Sequence, residues 1–355
     1  MPVESKSPSA IGEIRSALLR WYADHARTLP WRAPPGANAR PDAYRVWLSE
    51  VMLQQTTVAA VTPYYQRFTS RWPTLADFAA ADPADILAAW AGLGYYSRAR
   101  NLIACARVVA DAHGGIFPSD EAALRHLPGI GDYTAAAIAA IAFGQDAVPV
   151  DANVERVVAR LFAIDEPLPG ARKAICLAAR TIWPVDDGTA GDFAQAMMDL
   201  GSSICTSRSP ACLTCPLAGD CSARLAGLAD ALPVKPQKKL RPIRHGEAYW
   251  IERNGDVWLV RRPDKGMLGG MRALPGGDWQ PASDSALPTE AMGTVRHIFT
   301  HFELHLTLVR GEPFADAVGE GEWWPISRLD EAGLPTLYRR AAEIAVPKMA
   351  PEERL

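Results

Sequence analysis

Two carboxylates sit where the chemistry of a carboxylate is most altered. Glu50 interrupts Val46-Trp-Leu-Ser-Glu-Val-Met-Leu53, eight residues whose only polar members are Ser49 and Glu50 itself. A helix apolar nearly all round is a buried one, and burial raises a carboxyl pKa because the charged form loses its water. An acid still protonated near neutral pH can donate a proton in catalysis. The plainer alternative is an ion pair with an arginine such as Arg45 or Arg98. Asp151 stands at the head of an amphipathic run formed by Val154, Val157, Val158, Leu161 and Phe162. That position suits a helix N-cap, and it equally suits a carboxylate held in place to stabilise developing positive charge. Gln54, Gln55 and Thr56 follow the Glu50 helix directly. They are out of place in a core and suit hydrogen bonds to base edges, or filling a gap in a base stack.

Four of the six cysteines, Cys205, Cys212, Cys215 and Cys221, fall in a C-x6-C-x2-C-x5-C pattern. Such a cluster outside a secreted chain signals a metal site. The spacing alone allows tetrahedral zinc or an iron–sulfur cluster. The N-terminal residues carry no apolar signal segment and no run approaches a membrane span, so a cytoplasmic, reducing location is expected and disulfides are not.

The elements that must position these groups are mostly helical. Apolar residues recur at Ile11, Ile14, Leu18, Trp21 and Tyr22, and the helix they predict runs into Leu29-Pro30-Trp31-Arg32. Leu127-Pro-Gly-Ile-Gly131 forces a tight turn, with glycine free to take positive φ, before the Ala/Ile helix from Ala135 to Ala142. Residues 127–142 thus read as a hairpin leading into a helix whose first N–H groups, with Gly129 and Gly131 at the turn, form an anion site. In Trp90-Ala-Gly-Leu-Gly-Tyr-Tyr-Ser-Arg98-Ala-Arg100 the Gly92 and Gly94 turn could present Tyr95 as a wedge, with Arg98 and Arg100 on phosphates. Further helices are expected over 100–112, 172–183 and 193–205, and no strand signal precedes residue 232.

The chain has 355 residues, enough for two cores. Its net charge of −3 means that a nucleic-acid partner would meet local basic patches rather than a uniform field. Residues 1–10 read as a disordered tail, 11–232 as an all-α domain, 233–244 as a proline-punctuated basic linker and 245–350 as an α+β domain. In the last, Gly246–Arg253 and Val257–Arg262 are strand-like around Asn254-Gly255-Asp256, a hairpin signal. A second strand pair over 293–310 and a closing helix over 337–346 complete it. Lysines are scarce: Lys6 and Lys173 are the only ones before Lys235.

Five features together resemble the adenine-DNA glycosylases, members of the helix-hairpin-helix glycosylase superfamily. They are Leu29-Pro-Trp-Arg32, Ser49-Glu-Val-Met-Leu-Gln-Gln-Thr56, Gly92-Leu-Gly-Tyr-Tyr96, the hairpin with Asp151, and the cysteine loop. The layout after residue 245 resembles a Nudix fold. It lacks the Glu-rich metal-binding helix after Gly276-Gly277, so it reads as a recognition module rather than a hydrolase.

The resemblance implies a 4Fe–4S cluster on the four cysteines, with Arg208 in the same loop reaching DNA. The implied partner is double-stranded DNA carrying 8-oxoguanine:adenine or guanine:adenine mispairs, with no membrane association and a monomeric enzyme. It further implies that Glu50 protonates an extruded adenine and that Asp151 stabilises the sugar cation. Trp31, Arg32 and Gln195 would line the adenine pocket, and Gln55 and Tyr95 would fill the vacated stack. Phe299-Thr300-His301 would recognise 8-oxoguanine. Tyr133 occupies the hairpin position where lyase relatives carry a lysine, which implies a monofunctional glycosylase. This sequence departs from the family at Ala152, where glycine is usual, and at Thr300, where serine is common; neither removes a chemical group.

Overall fold

The computed structural model describes residues 6–37, 39–185, 188–235, 241–263, 266–281, 290–311 and 320–346. By its contacts the chain forms two compact units, one of residues 1–80 with 101–237 and one of 81–100 with 238–355. The helices in chain order are α1 (Pro8–His25), α2 (Ala43–Leu53), α3 (Val58–Arg71), α4 (Leu75–Ala80), α5 (Pro83–Trp90), α6 (Ser97–Ala112), α7 (Glu121–Arg125), α8 (Asp132–Phe143), α9 (Ala152–Leu161), α10 (Arg172–Ile182), α11 (Ala190–Ser203), α12 (Ser222–Leu225) and α13 (Thr336–Ala345). No described residue before Ile243 lies in a strand. Among the described residues, no helix is long and apolar enough to cross a membrane.

Helix α1 begins at Pro8, inside the segment expected to be a tail. The Ser7 side chain accepts the Ala10 N–H, and proline at the first helical position has no N–H to leave unpaired. Helix α2 is buried over seven successive residues, Val46 to Met52, and at Tyr44 before them. Trp47 on this helix meets Phe78 and Phe117 edge-on or tilted, with ring centroids 6.0 and 5.3 Å away. Burying one such large side chain is worth about 1.5–3 kcal/mol, so this aromatic packing fixes the rotation of α2 and thereby the direction of Glu50. A second core joins α1, α9, α10 and α11 through Leu18, Val158, Ile175, Phe193 and Met197.

The hairpin before α8 needs glycine at one position only. Gly129 has φ +74°, and a Cβ there would stand 2.5 Å from Asn101 Cβ. Gly131 is instead the extended N-cap residue of α8, with open space around it. No side chain caps α8.

In the second unit, β1 (Ile243–Trp250), β2 (Glu252–Arg253), β3 (Asp256–Arg261), β4 (Arg272–Ala273), β5 (Gln280–Pro281), β6 (Ala291–Ile298), β7 (Glu303–Arg310) and β8 (Gly321–Pro325) form two sheets. One has the order β5-β1-β7-β6, with β1 and β7 parallel; the other is built on β3, flanked by β2, β4 and β8. The expected strand 246–253 is therefore two elements. Its first part joins β7, and only Glu252 and Arg253 form the hairpin with β3 around Asn254 (φ 54°) and Gly255 (φ 83°). Helix α13 packs on β6, where Gly293 leaves room for Ile344. The linker lysines Lys238 and Lys239 lie outside the described residues.

Candidate active site

Glu50 and Asp151 line one cavity of about 580 Å3, together with Trp31, Arg32, Tyr133 and Gln195. That volume falls within the range of small-molecule sites. The walls come from helices α2, α3, α8 and α11, the N-cap of α9, and the segments that follow α1 and α2.

Glu50 is 7% exposed, and the Tyr133 hydroxyl donates to its Oε2 across 2.7 Å. Burial pushes the Glu50 carboxyl above its ordinary range. The Tyr133 hydrogen bond and the charge of Arg32 pull it part of the way back, while Asp151 pushes it up. The partner is thus a phenol, not Arg45 or Arg98. Tyr133 is raised well above the usual phenol value, by burial first and then by the charge of Glu50, so it stays protonated and can only donate to the carboxylate.

Asp151 is the N-cap of α9 and also lines the cavity. It caps α9, with Oδ1 accepting from the N–H groups of Asn153 (2.9 Å) and Val154 (2.7 Å) and Oδ2 from Asn153 Nδ2 (2.8 Å). Three N–H donors at the positive end of a helix hold the carboxylate rigid beside the cavity. Arg156 extends this chain, donating to Asn153 Oδ1 (2.9 Å) and to the carbonyl of Cys205 (2.7 Å).

The remaining lining groups sort by what they can offer. Trp31 is buried edge-on against Tyr65 and gives the cavity an aromatic wall. Gln195 lines the cavity; it donates from Nε2 to the Gly191 carbonyl at 3.4 Å, and its buried Oε1 has no partner among the described residues. Gln55 and Tyr95 are exposed and share a left-handed backbone, φ 56° and 45°. Non-glycine residues in that conformation are strained and concentrate at functional sites. Gln54 is turned inward, its Nε2 3.3 Å from Thr134 Oγ1.

Arg98 requires a correction. It is buried, donates from Nη2 to the carbonyls of Leu93 (2.9 Å) and Gly94 (3.3 Å), and stacks over Trp90 and Tyr95. Its guanidinium holds the Gly92–Tyr95 turn in shape and is not presented to a phosphate. Arg208, by contrast, is exposed.

The four cysteines line one small cavity with Arg160. The site fits a thiolate-held cluster. Burial pushes the Cys215 thiol up to about 11 and Cys221 upward, and a bound metal would favour their thiolate forms. Arg160 Nη1 lies 3.2 Å from Cys205 Sγ, a donor aimed at a sulfur that carries charge once ligated. Among the described residues no three His, Cys, Asp or Glu side chains are gathered as around a lone metal ion. In the second unit, Phe299 stacks on Trp279 (5.3 Å) and leaves Thr300 and His301 exposed between β6 and β7. These three residues share a cavity of about 510 Å3 with Tyr95, Tyr96 and Arg100.

Sequence reasoning passed over Arg27, Asn153, Arg156 and Asp199. Asp199 lay open to the logic used for Glu50, a lone acid among Met197, Met198 and Leu200; Asn153 acts through its near neighbours Asp151 and Arg156, and Arg27 and Arg156 gain meaning from long-range contacts.

This arrangement defines a class: a helix-hairpin-helix base-excision protein with an iron–sulfur loop and a Nudix-like second part. A family model for HhH-GPD superfamily base excision DNA repair proteins matches residues 48–179. The iron–sulfur binding domain of endonuclease III matches 205–221, and a NUDIX domain matches 248–343. The cofactor is accordingly a 4Fe–4S cluster. A thermostable thymine-DNA glycosylase is similar in structure over 61% of this chain and 98% of its own, with TM-score 0.54 and 30% identity. An endonuclease III with TM-score 0.51 and 23% identity shares the fold.

Adenine DNA glycosylase of Mus musculus is 36% identical, covering 82% of this chain and 69% of that protein. That of Buchnera aphidicola (strain APS) is 31% identical over 92% and 95%, and that of Mycolicibacterium smegmatis is 44% identical over 59% and 69%. The chain belongs to the adenine DNA glycosylase family.

Proposed function

We propose that this protein is a monofunctional glycosylase of base excision repair that removes adenine mispaired with 8-oxoguanine or guanine, after the adenine is turned out of the duplex. The observation that carries this reading is the meeting of Glu50, with its raised pKa, and a rigidly held Asp151 at one cavity closed by Tyr133.

Adenine leaves its sugar readily only when protonated. Glu50 donates a proton to N7, and the C1′–N9 bond breaks toward a sugar cation. The Asp151 carboxylate stabilises that positive charge electrostatically. Glu50, now ionised, accepts a proton from the attacking water, the role reversal known from paired-carboxylate glycoside hydrolysis. Gln195 Oε1 is an acceptor for the exocyclic amine of adenine, Arg32 a donor to its ring, and Trp31 a wall for its face.

The strained, exposed Gln55 and Tyr95 are suited to fill the emptied stack. The uncapped α8 N-terminus, with Gly129 and Gly131, is suited to a backbone phosphate, and Arg208 to another. Phe299, Thr300 and His301 are assigned to 8-oxoguanine, and Cys205, Cys212, Cys215 and Cys221 to the cluster. The protein acts as a monomer in the cytoplasm. Tyr133 at the hairpin offers no amine, and the scarcity of lysine in the first unit favours hydrolysis over Schiff-base lyase chemistry.

The test is excision from duplexes with adenine opposite 8-oxoguanine, guanine or thymine, with borohydride trapping in parallel. Excision should be fastest opposite 8-oxoguanine, with no trapped adduct. Trapping at the level of a lyase, or indifference to the opposite base, contradicts the reading.

A further inference from the structure

Asp199 on α11 is 1% exposed and surrounded by apolar neighbours. A buried carboxylate survives only where its charge is met, and here it is met by four donors. Oδ1 accepts from Arg27 Nε (2.7 Å) and Nη2 (2.6 Å). Oδ2 accepts from the Arg27 backbone N–H (3.1 Å) and from Arg32 Nη1 (2.8 Å). Both arginines line the cavity that holds Glu50 and Asp151, whereas Asp199 stands behind the wall.

The two arginines lie five residues apart on the segment that follows α1, which has no regular structure of its own. Left alone, two like charges in one wall repel, and Arg27, with a side chain one-third exposed, has solvent to turn to. Asp199 removes that freedom. Because it also accepts the Arg27 backbone N–H, it fixes the start of the segment that carries Trp31 and Arg32.

We propose that Asp199 is a positioning residue of the excision reaction, clamping Arg27 and Arg32 as one unit so that the Arg32 guanidinium is presented to the base beside Glu50. This rests on reading the cavity as the base pocket. Nothing assigned to the mechanism above requires Asp199, and it touches neither base nor sugar.

The groups facing Glu50 fix what a test should see. They are Tyr133 from α8, Asp151 from the α9 N-cap, and Arg27 and Arg32 from the segment after α1. Helix α11 offers only the uncharged Gln195, Met198 and Ser202, and α3 offers Val58. Arg32 is the cation that draws the Glu50 carboxyl downward. When the clamp is released, that pull weakens and the Glu50 proton is held to higher pH.

Single-turnover excision at saturating enzyme, measured across pH with DNA affinity determined separately, tests this on the holoenzyme. Four variants are compared: Asp199→Asn, Asp199→Glu, Arg32→Ala and the double variant Asp199→Asn/Arg32→Ala. Asp199→Asn should slow excision about 10–100-fold, the effect of losing a charge-assisted hydrogen bond, with affinity for undamaged DNA unchanged. The basic limb of the pH profile should move upward, as in Arg32→Ala, and the double variant should be no slower than the slower single one. Asp199→Glu keeps the charge and should recover part of the rate; it also stands in if Asp199→Asn does not fold. Multiplying losses in the double variant, or an unmoved pH limb with only a lowered Tm, overturns the proposal. If Arg32→Ala itself excises normally, the base-pocket reading falls instead, and the proposal with it.

Discussion

The Tyr133 hydroxyl donates to Glu50 Oε2 across 2.7 Å, joining the hairpin helix α8 to the buried helix α2 at the floor of the cavity. This bond steadies the ionised form of Glu50 and so lowers a pKa that burial raises. Tyr133→Phe removes it without opening much space. Glu50 should then hold its proton to higher pH, so the basic limb of single-turnover excision moves upward. The rate at the optimum should fall about 10–100-fold because the returning carboxylate loses a partner. A pH–rate profile of the two proteins decides this.

Glu50 also costs stability. Below the usual carboxylate range it is protonated in folded and unfolded chains alike. As pH rises, the unfolded chain releases the proton first, and stability is lost progressively up to the raised folded pKa. Glu50→Gln avoids this loss and still accepts from Tyr133. Its Tm should exceed that of the parent at neutral pH, and the gap should close toward pH 4. Thermal melts at the two pH values measure it.

Much of this site was legible because burial and polarity conflict openly at Glu50, and because glycine with proline marks the hairpin at Gly129. Local pattern could not reveal that Arg98 turns inward. Its guanidinium satisfies carbonyls of the turn that it follows, which depends on tertiary placement. The same holds for the break at Ile251. The residues around it alternate like one strand, yet the chain leaves one sheet there and enters another.

Arg160 is buried and donates to Cys205 Sγ, the Thr206 carbonyl (2.7 Å) and the Leu232 carbonyl (3.0 Å). Arg160→Met leaves these acceptors unpaired, and a loss of about 2–4 kcal/mol is expected. Iron content and visible absorbance of the purified variant should fall with Tm. Removal of the iron from the parent protein should lower Tm in the same direction.

Thr300 and His301 are exposed beside the stacked Phe299 and carry no packing of their own. Thr300→Ala combined with His301→Ala should leave excision opposite guanine nearly unchanged and slow excision opposite 8-oxoguanine. The ratio of the two rates should shrink by about tenfold, the worth of one or two hydrogen bonds. Paired single-turnover assays on the two duplexes give the ratio directly.

The most direct measurement is single-turnover excision by Glu50→Gln and Asp151→Asn, set beside their affinities for duplex containing the adenine mispair. Each substitution removes a charge or a proton and keeps the shape. Excision should fall by at least about 10³-fold in each, with affinity within a few-fold of the parent. Substantial excision by either variant, or loss of binding in step with loss of rate, would contradict an acid and a carboxylate acting across one base.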